Sequence, residues 1–169
     1  MIRLEKYSLA LNAVKVPGPD YRMDETVKMT KTATVYDVLS HILTSVSNTS
    51  ALKLDNVVIN CHGSPGVIHL GEKSYIRMEH VGLFNMVKSY IGTLWITGCQ
   101  VGSGANFCSQ LAITANCSVV AADVLQYINP GYYLRLFPQN CIDEFEGTAY
   151  KWDANGNKSV FSRREWYVL

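Results

Sequence analysis

Short apolar runs that end abruptly in small polar residues mark the middle of this chain. Residues 56–61 form one such run and are followed by a His-Gly pair, while residues 93–97 form a second and are followed by a Gly-Cys pair. Residues 118–122 form a third. Continuous apolar runs of this length are typical of parallel strands that are buried on both faces.

The amino-terminal third is predicted to hold a strand, a loop and a helix. Apolar residues alternate within residues 4–16, which indicates a strand. The polar residues 20–33 are expected to form an exposed loop. Apolar positions in residues 35–46 then recur at the spacing of an amphipathic helix, and Thr34 with Asp37 forms a capping box at its start.

Helical segments are also predicted between the apolar runs. Residues 81–91 have helical spacing and are expected to stop at Gly92. Ser103 is expected to cap a further helix. The inner face of that helix is predicted to consist of Cys108, Leu111, Ala112 and Ala115. The order strand, helix, strand, helix, strand favours a parallel α/β unit with right-handed crossovers.

The last third is expected to be richer in β-structure. A turn at residues 129–131 precedes a predicted strand over 132–137, and Asn-Gly within residues 153–157 indicates a hairpin. A small ribbon is predicted over residues 67–77. We therefore expect a single α/β domain over residues 1–169, with a mostly parallel sheet and a C-terminal hairpin.

Composition narrows the possible functions. Of the 169 residues, 48% are apolar and 17% are charged, with a net charge of +1, so a folded domain without nucleic-acid binding is expected. No apolar run approaches the roughly 20 residues of a membrane span, so no membrane contact is expected. Since no signal-peptide block begins the chain, we expect a cytoplasmic protein or export by a signal-independent route.

Five cysteines without a CxxC pair indicate free thiols in a reducing compartment, and no metal site or cofactor is implied. Cys108 and Cys117 lie among apolar residues and are expected to be inert core. The spacing of His69 and His80 fits no familiar metal site, so both are expected in solvated loops.

The two strand ends carry the pair of groups that thiol catalysis needs. Carboxyl ends of parallel strands meet at one edge of a sheet, so His62 and Cys99 are expected to lie close together. A helix predicted shortly after Cys99 would favour its thiolate. The backbone amides of Gly63 and Cys99 could bind an oxyanion.

Structural roles compete with these functional ones. A cysteine at a strand end is more often structural than catalytic, and the paired motifs are what favour catalysis here. Cys61 is expected in the core because alternation turns it away from His62. Asp123 ends the third run, where it could line a pocket for a basic side chain or cap the following segment.

The paired motifs resemble those of the caspase-like (clan CD) cysteine peptidases, in particular the bacterial branch. Residues 57–63 read Val-Val-Ile-Asn-Cys-His-Gly, and residues 94–100 read Leu-Trp-Ile-Thr-Gly-Cys-Gln. In that family an apolar strand ends in His-Gly and the next parallel strand ends in the nucleophile. The resemblance implies that His62 and Cys99 form a catalytic dyad and that the amides of Gly63 and Cys99 form the oxyanion hole.

The resemblance covers residues 54–123 and has departures. The caspase signature Gln-Ala-Cys-x-Gly is not met, because Thr97-Gly98-Cys99-Gln100-Val101 stands in its place. Thr97 also replaces the acid that some basic-specific relatives have two residues before the nucleophile. Neither aspartate specificity nor a basic preference based on that position therefore carries over.

The resemblance implies a three-layer sandwich with helices on both faces of the sheet, and an endopeptidase acting on protein or peptide substrates. A bacterial effector or toxin protease is the implied setting, and the size leaves room for a homodimer. The alternative is a caspase-like binding or regulatory module without turnover. Another thiol acyl transfer, such as deamidation, shares the first chemical step.

Overall fold

The computed structural model describes residues 1–104, 106–126 and 137–164. Its strands, in chain order, are β1 (Ile2–Arg3), β2 (Ser8–Asn12), β3 (Glu25–Lys28), β4 (Leu54–Asn60), β5 (His62–Ser64), β6 (Val67–His69), β7 (Tyr75–Ile76), β8 (Ile91–Ile96), β9 (Ser118–Ala122), β10 (Cys141–Ile142), β11 (Gly147–Trp152) and β12 (Lys158–Arg164). Its helical elements are α1 (Val35–Asn48), α2 (Phe107–Ala115) and two 3₁₀ segments, Met78–Val87 and Val101–Ser103.

A seven-stranded sheet forms the centre of the molecule. Its strand order is β12-β11-β9-β8-β4-β2-β3. The five strands from β9 to β3 are parallel, whereas β11 and β12 run antiparallel as a hairpin at one end. The predicted α/β class, the mostly parallel sheet and the C-terminal hairpin are therefore confirmed.

The two faces of the sheet are covered by different kinds of structure. Residues of α1, α2 and the long 3₁₀ segment pack with one set of strand side chains in the larger core. The opposite face is covered by loop residues such as Tyr21 and Phe145 and by the small sheet of β1 and β10. Within the described residues, helices therefore lie on one face, and the expectation of helices on both faces is wrong for this part of the chain.

The first helix forms as its sequence predicts. Thr34 and Asp37 make the reciprocal hydrogen bonds of a capping box, and most apolar positions of α1 are buried in the larger core. The hydrogen bonds from Thr34 lower the pKa of the Asp37 carboxyl. Among the described helices none is long and apolar enough to span a membrane.

Three local predictions are corrected. Residues 20–33 contain β3, an edge strand that pairs with β2 although it has one apolar residue, because backbone hydrogen bonds suffice at an edge. Residues 81–91 form 3₁₀ turns and then enter β8, since apolar spacing of three suits either helix type. Gly92 lies inside β8, where a Cβ would be 2.6 Å from the Asp55 carbonyl oxygen.

The predicted turn at 129–131 and most of the predicted strand at 132–137 lie outside the described residues. The ribbon predicted over residues 67–77 is confirmed as β6 and β7, and β5 extends it to include His62 and Gly63. The histidine is therefore held in a strand of its own small sheet.

Candidate active site

Strand register brings the two motifs together at one edge of the sheet. Ile59 of β4 lies opposite Ile96 of β8, and the Thr97 amide donates to the Ile59 carbonyl at 3.2 Å. The segments that follow β4 and β8 stay in contact beyond the sheet, since a Cβ at Gly98 would lie 3.0 Å from the His62 carbonyl oxygen. Glycine at this position therefore permits the close approach.

The next pair of residues is in closer contact still. A Cβ at Gly63 would lie 2.7 Å from the Cys99 carbonyl oxygen and 3.2 Å from the Cys99 nitrogen. No side chain fits between these backbones. The His-Gly and Gly-Cys motifs thus interlock through their glycines.

A cleft of about 350 Å³ opens at this edge. Both His62 and Cys99 line it. The remaining lining residues are Val16, Pro17, Tyr21, Asn60, Cys61, Thr97, Gln126, Asp143, Glu144 and Phe145. The structure therefore brings the predicted nucleophile and the predicted histidine into one cavity.

The His62 imidazole is oriented by the backbone of a distant segment. Its Nε2 lies 2.9 Å from the Lys15 carbonyl oxygen. Because a carbonyl only accepts, this bond places a proton on Nε2 and leaves Nδ1 for proton transfer. Lys15 has a φ of 62°, an uncommon value for a residue with a side chain.

The Cys99 sulfur is held by the loop that follows β9. The Gln126 backbone N–H donates to Cys99 Sγ at 3.2 Å, and the Gln126 backbone carbonyl oxygen lies 3.8 Å from the same sulfur. In the part of the chain that the structure describes, no hydrogen bond joins the His62 ring to Cys99 Sγ. The thiol is thus turned toward Gln126.

The helix predicted after Cys99 is confirmed as α2, but the 3₁₀ turn Val101–Ser103 lies between it and the cysteine. Ser103 donates through Oγ to the Gln100 carbonyl, and α2 begins only at Phe107 after Asn106. The expectation that Ser103 caps a helix near the thiol is therefore wrong. The Gln126 amide is the donor that reaches the sulfur instead.

The Gln126 side chain connects the loop after β9 to the segment just before β11. Its side-chain amide donates to the carbonyls of Val124 and Glu146, and its Oε1 accepts from the Glu146 amide at 2.9 Å. The Gln100 amide also donates to the Val124 carbonyl at 2.9 Å. The turn at Cys99 and the loop therefore form one connected unit.

Two backbone donors at the interlocked glycines lack acceptors. Ser64 and Val67 flank the two-residue Pro65-Gly66 turn. Residues in that position form a hydrogen-bonded pair, and pairs alternate along an antiparallel ladder, so Gly63 opposite Ile68 falls in a non-hydrogen-bonded position. Its N–H therefore points away from β6. Among the described residues neither this N–H nor that of Cys99 has an acceptor, and such unpaired donors can bind an oxyanion.

The second cysteine of the cleft has different chemistry. Cys61 is buried and interacts with the Gly98 amide, and burial raises the pKa of its thiol to about 12. The expectation that Cys61 belongs to the core is confirmed. Cys108 and Cys117 are also buried, and burial raises the pKa of each to about 12.

Buried amides support the floor of the cleft. Asn12 exchanges hydrogen bonds of 2.9 and 3.0 Å with the backbone of Tyr21, and Asn60 donates to Asn12 at 2.9 Å. Thr97 donates to Asn60 at 3.3 Å. This chain links the ends of β2, β4 and β8, so it holds the cleft walls together.

The other candidate residues lie elsewhere. Asp123 follows β9 and donates through its amide to the Thr148 carbonyl, but it does not line the cleft. Its Oδ1 is buried without a hydrogen-bond partner in the described regions. Its role in substrate binding remains a prediction.

The two further histidines have local partners. His69 Nε2 lies 3.1 Å from Ser64 Oγ, and burial lowers the pKa of its ring, with nearby His62 and Arg77 adding to the effect. His80 accepts from the Arg77 amide at 3.1 Å. Over residues 1–104, 106–126 and 137–164, no group of three or more potential ligands is placed to hold a metal.

No protein-family model, curated protein or solved structure matches the chain.

Proposed function

We propose that the protein is a caspase-like cysteine endopeptidase that uses His62 and Cys99. The observation that carries this proposal is the shared cleft. A thiol, an imidazole and two backbone amides without acceptors among the described residues line or adjoin one cavity, and acyl transfer requires these groups together. The bacterial effector setting rests on the resemblance of residues 57–63 and 94–100 to that family.

The mechanism begins with attack of Cys99 Sγ on a peptide carbonyl carbon. The sulfur–carbon bond forms as the carbonyl π electrons move to oxygen, where the amides of Gly63 and Cys99 stabilise the negative charge. His62 takes the thiol proton and donates it to the leaving amine as the carbon–nitrogen bond breaks. Water then attacks the thioester with His62 as base, which releases the acid and restores the thiol.

Lys15 serves this mechanism as a positioning residue. Its carbonyl holds the Nε2–H side of His62 and would stabilise the imidazolium that forms when Nδ1 takes a proton. For attack, Cys99 Sγ must leave the Gln126 amide and rotate toward the substrate. Catalytic hydrogen bonds are often longer in free enzymes than in substrate complexes.

The hydrogen bond between the Gln126 backbone amide and Cys99 Sγ favours the second candidate, a binding module without turnover. Among the described residues, the Cys99 sulfur accepts a hydrogen bond from the Gln126 backbone amide and makes none with His62, as expected of a thiol that takes no part in chemistry. The two candidates differ in the reactivity of Cys99.

Alkylation by iodoacetamide at neutral pH, followed by mass spectrometry, separates them. The peptidase proposal expects Cys99 to be alkylated at least tenfold faster than the half-buried Cys141, and it expects His62→Ala to remove that difference. His80→Ala is the matched control, since His80 is half-buried and remote from the cleft. Equal rates at Cys99 and Cys141 would favour the binding module.

Turnover is the second readout. Incubation with a denatured protein and analysis of products should show new peptide termini that are absent with Cys99→Ala. Products that keep an intact backbone but have lost side-chain amides would indicate deamidation instead.

A further inference from the structure

We propose that Asp143 is the specificity-determining residue of the cleft and that the substrate presents an arginine or lysine side chain at the cleaved residue. This inference rests on the proposed function, because it names the substrate class of that site. It differs from the prediction for Asp123, which does not line the cleft.

The charge of the cleft walls is the first observation. Besides His62, the ionisable lining residues are a phenol, two thiols and two carboxyl groups, those of Asp143 and Glu144. No described lysine or arginine lines the cavity. A cationic side chain therefore finds a complementary field, whereas an acidic one does not.

The two carboxylates differ in how far they are already neutralised. Glu144 is exposed and has its own cations, with the amino group of Met1 at 2.6 Å and Arg164 at 3.7 Å. Asp143 is half-buried, and no described cation comes within 4 Å of it. Asp143 is thus the carboxylate that lacks a counter-ion.

The hydrogen bonds of Asp143 leave one oxygen available. Oδ1 accepts from the Glu144 amide at 2.9 Å, while Oδ2 has no partner among the described residues. Burial raises the pKa of this carboxyl, although Arg164 and the Met1 amino group act in the other direction. A bound cation would compensate for the water that burial removes from the carboxylate.

The backbone of Asp143 is held in place. It follows β10, which pairs with β1, and its amide donates to the Tyr21 hydroxyl at 3.4 Å. Tyr21 is itself fastened to Asn12 beneath the cleft. The carboxylate therefore stands on a supported segment, as a specificity residue requires.

The apolar part of the lining suits the stem of a long basic side chain. Val16, Pro17 and Phe145 line the same cavity as Asp143. Arginine and lysine bury their methylene groups against such surfaces while the charged end reaches a polar partner. A short acidic or amide side chain would use neither feature.

The test compares peptidyl chloromethyl ketones that end in arginine or leucine, and it follows alkylation of Cys99 by mass spectrometry. In the wild type we expect the arginine reagent to react at least tenfold faster than the leucine reagent. Asp143→Asn should remove this preference by slowing the arginine reagent at least tenfold, while asparagine can still accept from the Glu144 amide and keep the local structure. Glu79→Gln, an exposed carboxylate away from the cleft, is the control.

The outcomes separate this inference from the proposed function. Fast alkylation of Cys99 without preference for arginine overturns the inference and leaves the peptidase proposal standing. A preference that survives Asp143→Asn also overturns it. Failure of the proposed function has another signature, in which no reagent alkylates Cys99 faster than Cys141, and both proposals then fall.

Discussion

The two ends of the parallel strands carry cavities of opposite character. At the carboxyl ends the cleft measures about 350 Å³ and is lined by His62 and Cys99. At the amino ends an open groove of about 1280 Å³ extends past Trp95 and Phe161. Neither histidine nor cysteine is found among the described residues that line this larger groove.

The two cavities differ in their hydrogen bonding as well as in their size, and hydrogen bonding explains better why the smaller one is the candidate site. In the amino-end groove, Trp95 donates to Asn56 at 2.8 Å and Asn56 donates to Ser8 at 3.1 Å, so these donors are used within the fold. Among the described residues of this groove, Asn140 Oδ1 is a buried acceptor without a hydrogen-bond partner. At the carboxyl ends the backbone N–H groups of Gly63 and Cys99 are donors without an acceptor among the described residues. Unpaired donors beside a thiol therefore distinguish the candidate site from the larger cavity.

The largest expected effect is a difference in activity between alanine substitutions at Gly63 and Gly92, which lie at opposite ends of the parallel strands. An alanine Cβ would lie 2.7 Å from the Cys99 carbonyl oxygen at Gly63 and 2.6 Å from the Asp55 carbonyl oxygen at Gly92. Each substitution should lower the free energy of unfolding by about 1–3 kcal/mol. Only Gly63→Ala should also reduce peptide hydrolysis per folded molecule, by about a hundredfold, because it displaces the oxyanion donors.

Chemical unfolding and kcat/KM measured on the same samples test this difference. Gly82→Ala is the control, since no described atom beyond its own helical turn lies within 4 Å of a Cβ there. Equal losses of activity at Gly63 and Gly92 would contradict the division between the two ends.

A second prediction concerns stability at the amino end. Asn56→Ala should cost about 1–3 kcal/mol because it leaves the buried Trp95 N–H without an acceptor. Trp95→Phe removes that donor, so the double variant should be less destabilised than the sum of the two single variants. Urea unfolding measures this coupling, and alkylation of Cys99 should be unchanged throughout. Loss of Cys99 reactivity in these variants would show that the two ends are coupled.

The smallest expected effect is the pH dependence due to Asp143. Burial raises the pKa of this carboxyl in the folded state, so the folded state binds its proton more readily than the unfolded state. Its charged form therefore opposes folding at neutral pH, and this penalty disappears as pH falls through the raised pKa toward the ordinary value.

Asp143→Asn should consequently increase the melting temperature slightly at pH 7 and have less effect near pH 4. Asp24→Asn is the counterpart at the amino end. There the carboxylate accepts hydrogen bonds from the Ser8 amide and Asn140, so its loss should decrease the melting temperature. A decrease for Asp143→Asn at neutral pH would argue that its charge is already compensated.

Elements with strong local signals could be predicted from the sequence, and elements held by distant contacts could not. The apolar runs at 56–61 and 93–97 and the capped helix α1 form as expected, because pattern and caps act within a few residues. Strand β3 has no comparable signal in the sequence, because an edge strand depends on its partner's backbone. The sequence does not distinguish the 3₁₀ segment from an α-helix, because apolar spacing of three residues suits both.

The same distinction applies to the candidate site. His62, Gly63 and Cys99 can be found from the sequence because each follows an apolar strand. Lys15, Gln126 and Asp143 carry no such signal, apart from the uncommon backbone angle of Lys15, which a sequence does not reveal. They reach the cleft through contacts such as Gln126 to Cys99 that span 27 positions.

By itself, the sequence determined the α/β class, the parallel strands and the placing of a histidine and a cysteine at neighbouring strand ends. Hydrophobic pattern suffices for this because buried strands must be apolar along their length and glycine must follow where backbones touch. The tertiary structure alone decided which carbonyl orients His62, which amide holds Cys99 and which carboxylate lines the cleft. Those choices depend on loops that lie far apart along the chain and are brought together by sheet pairing and core packing.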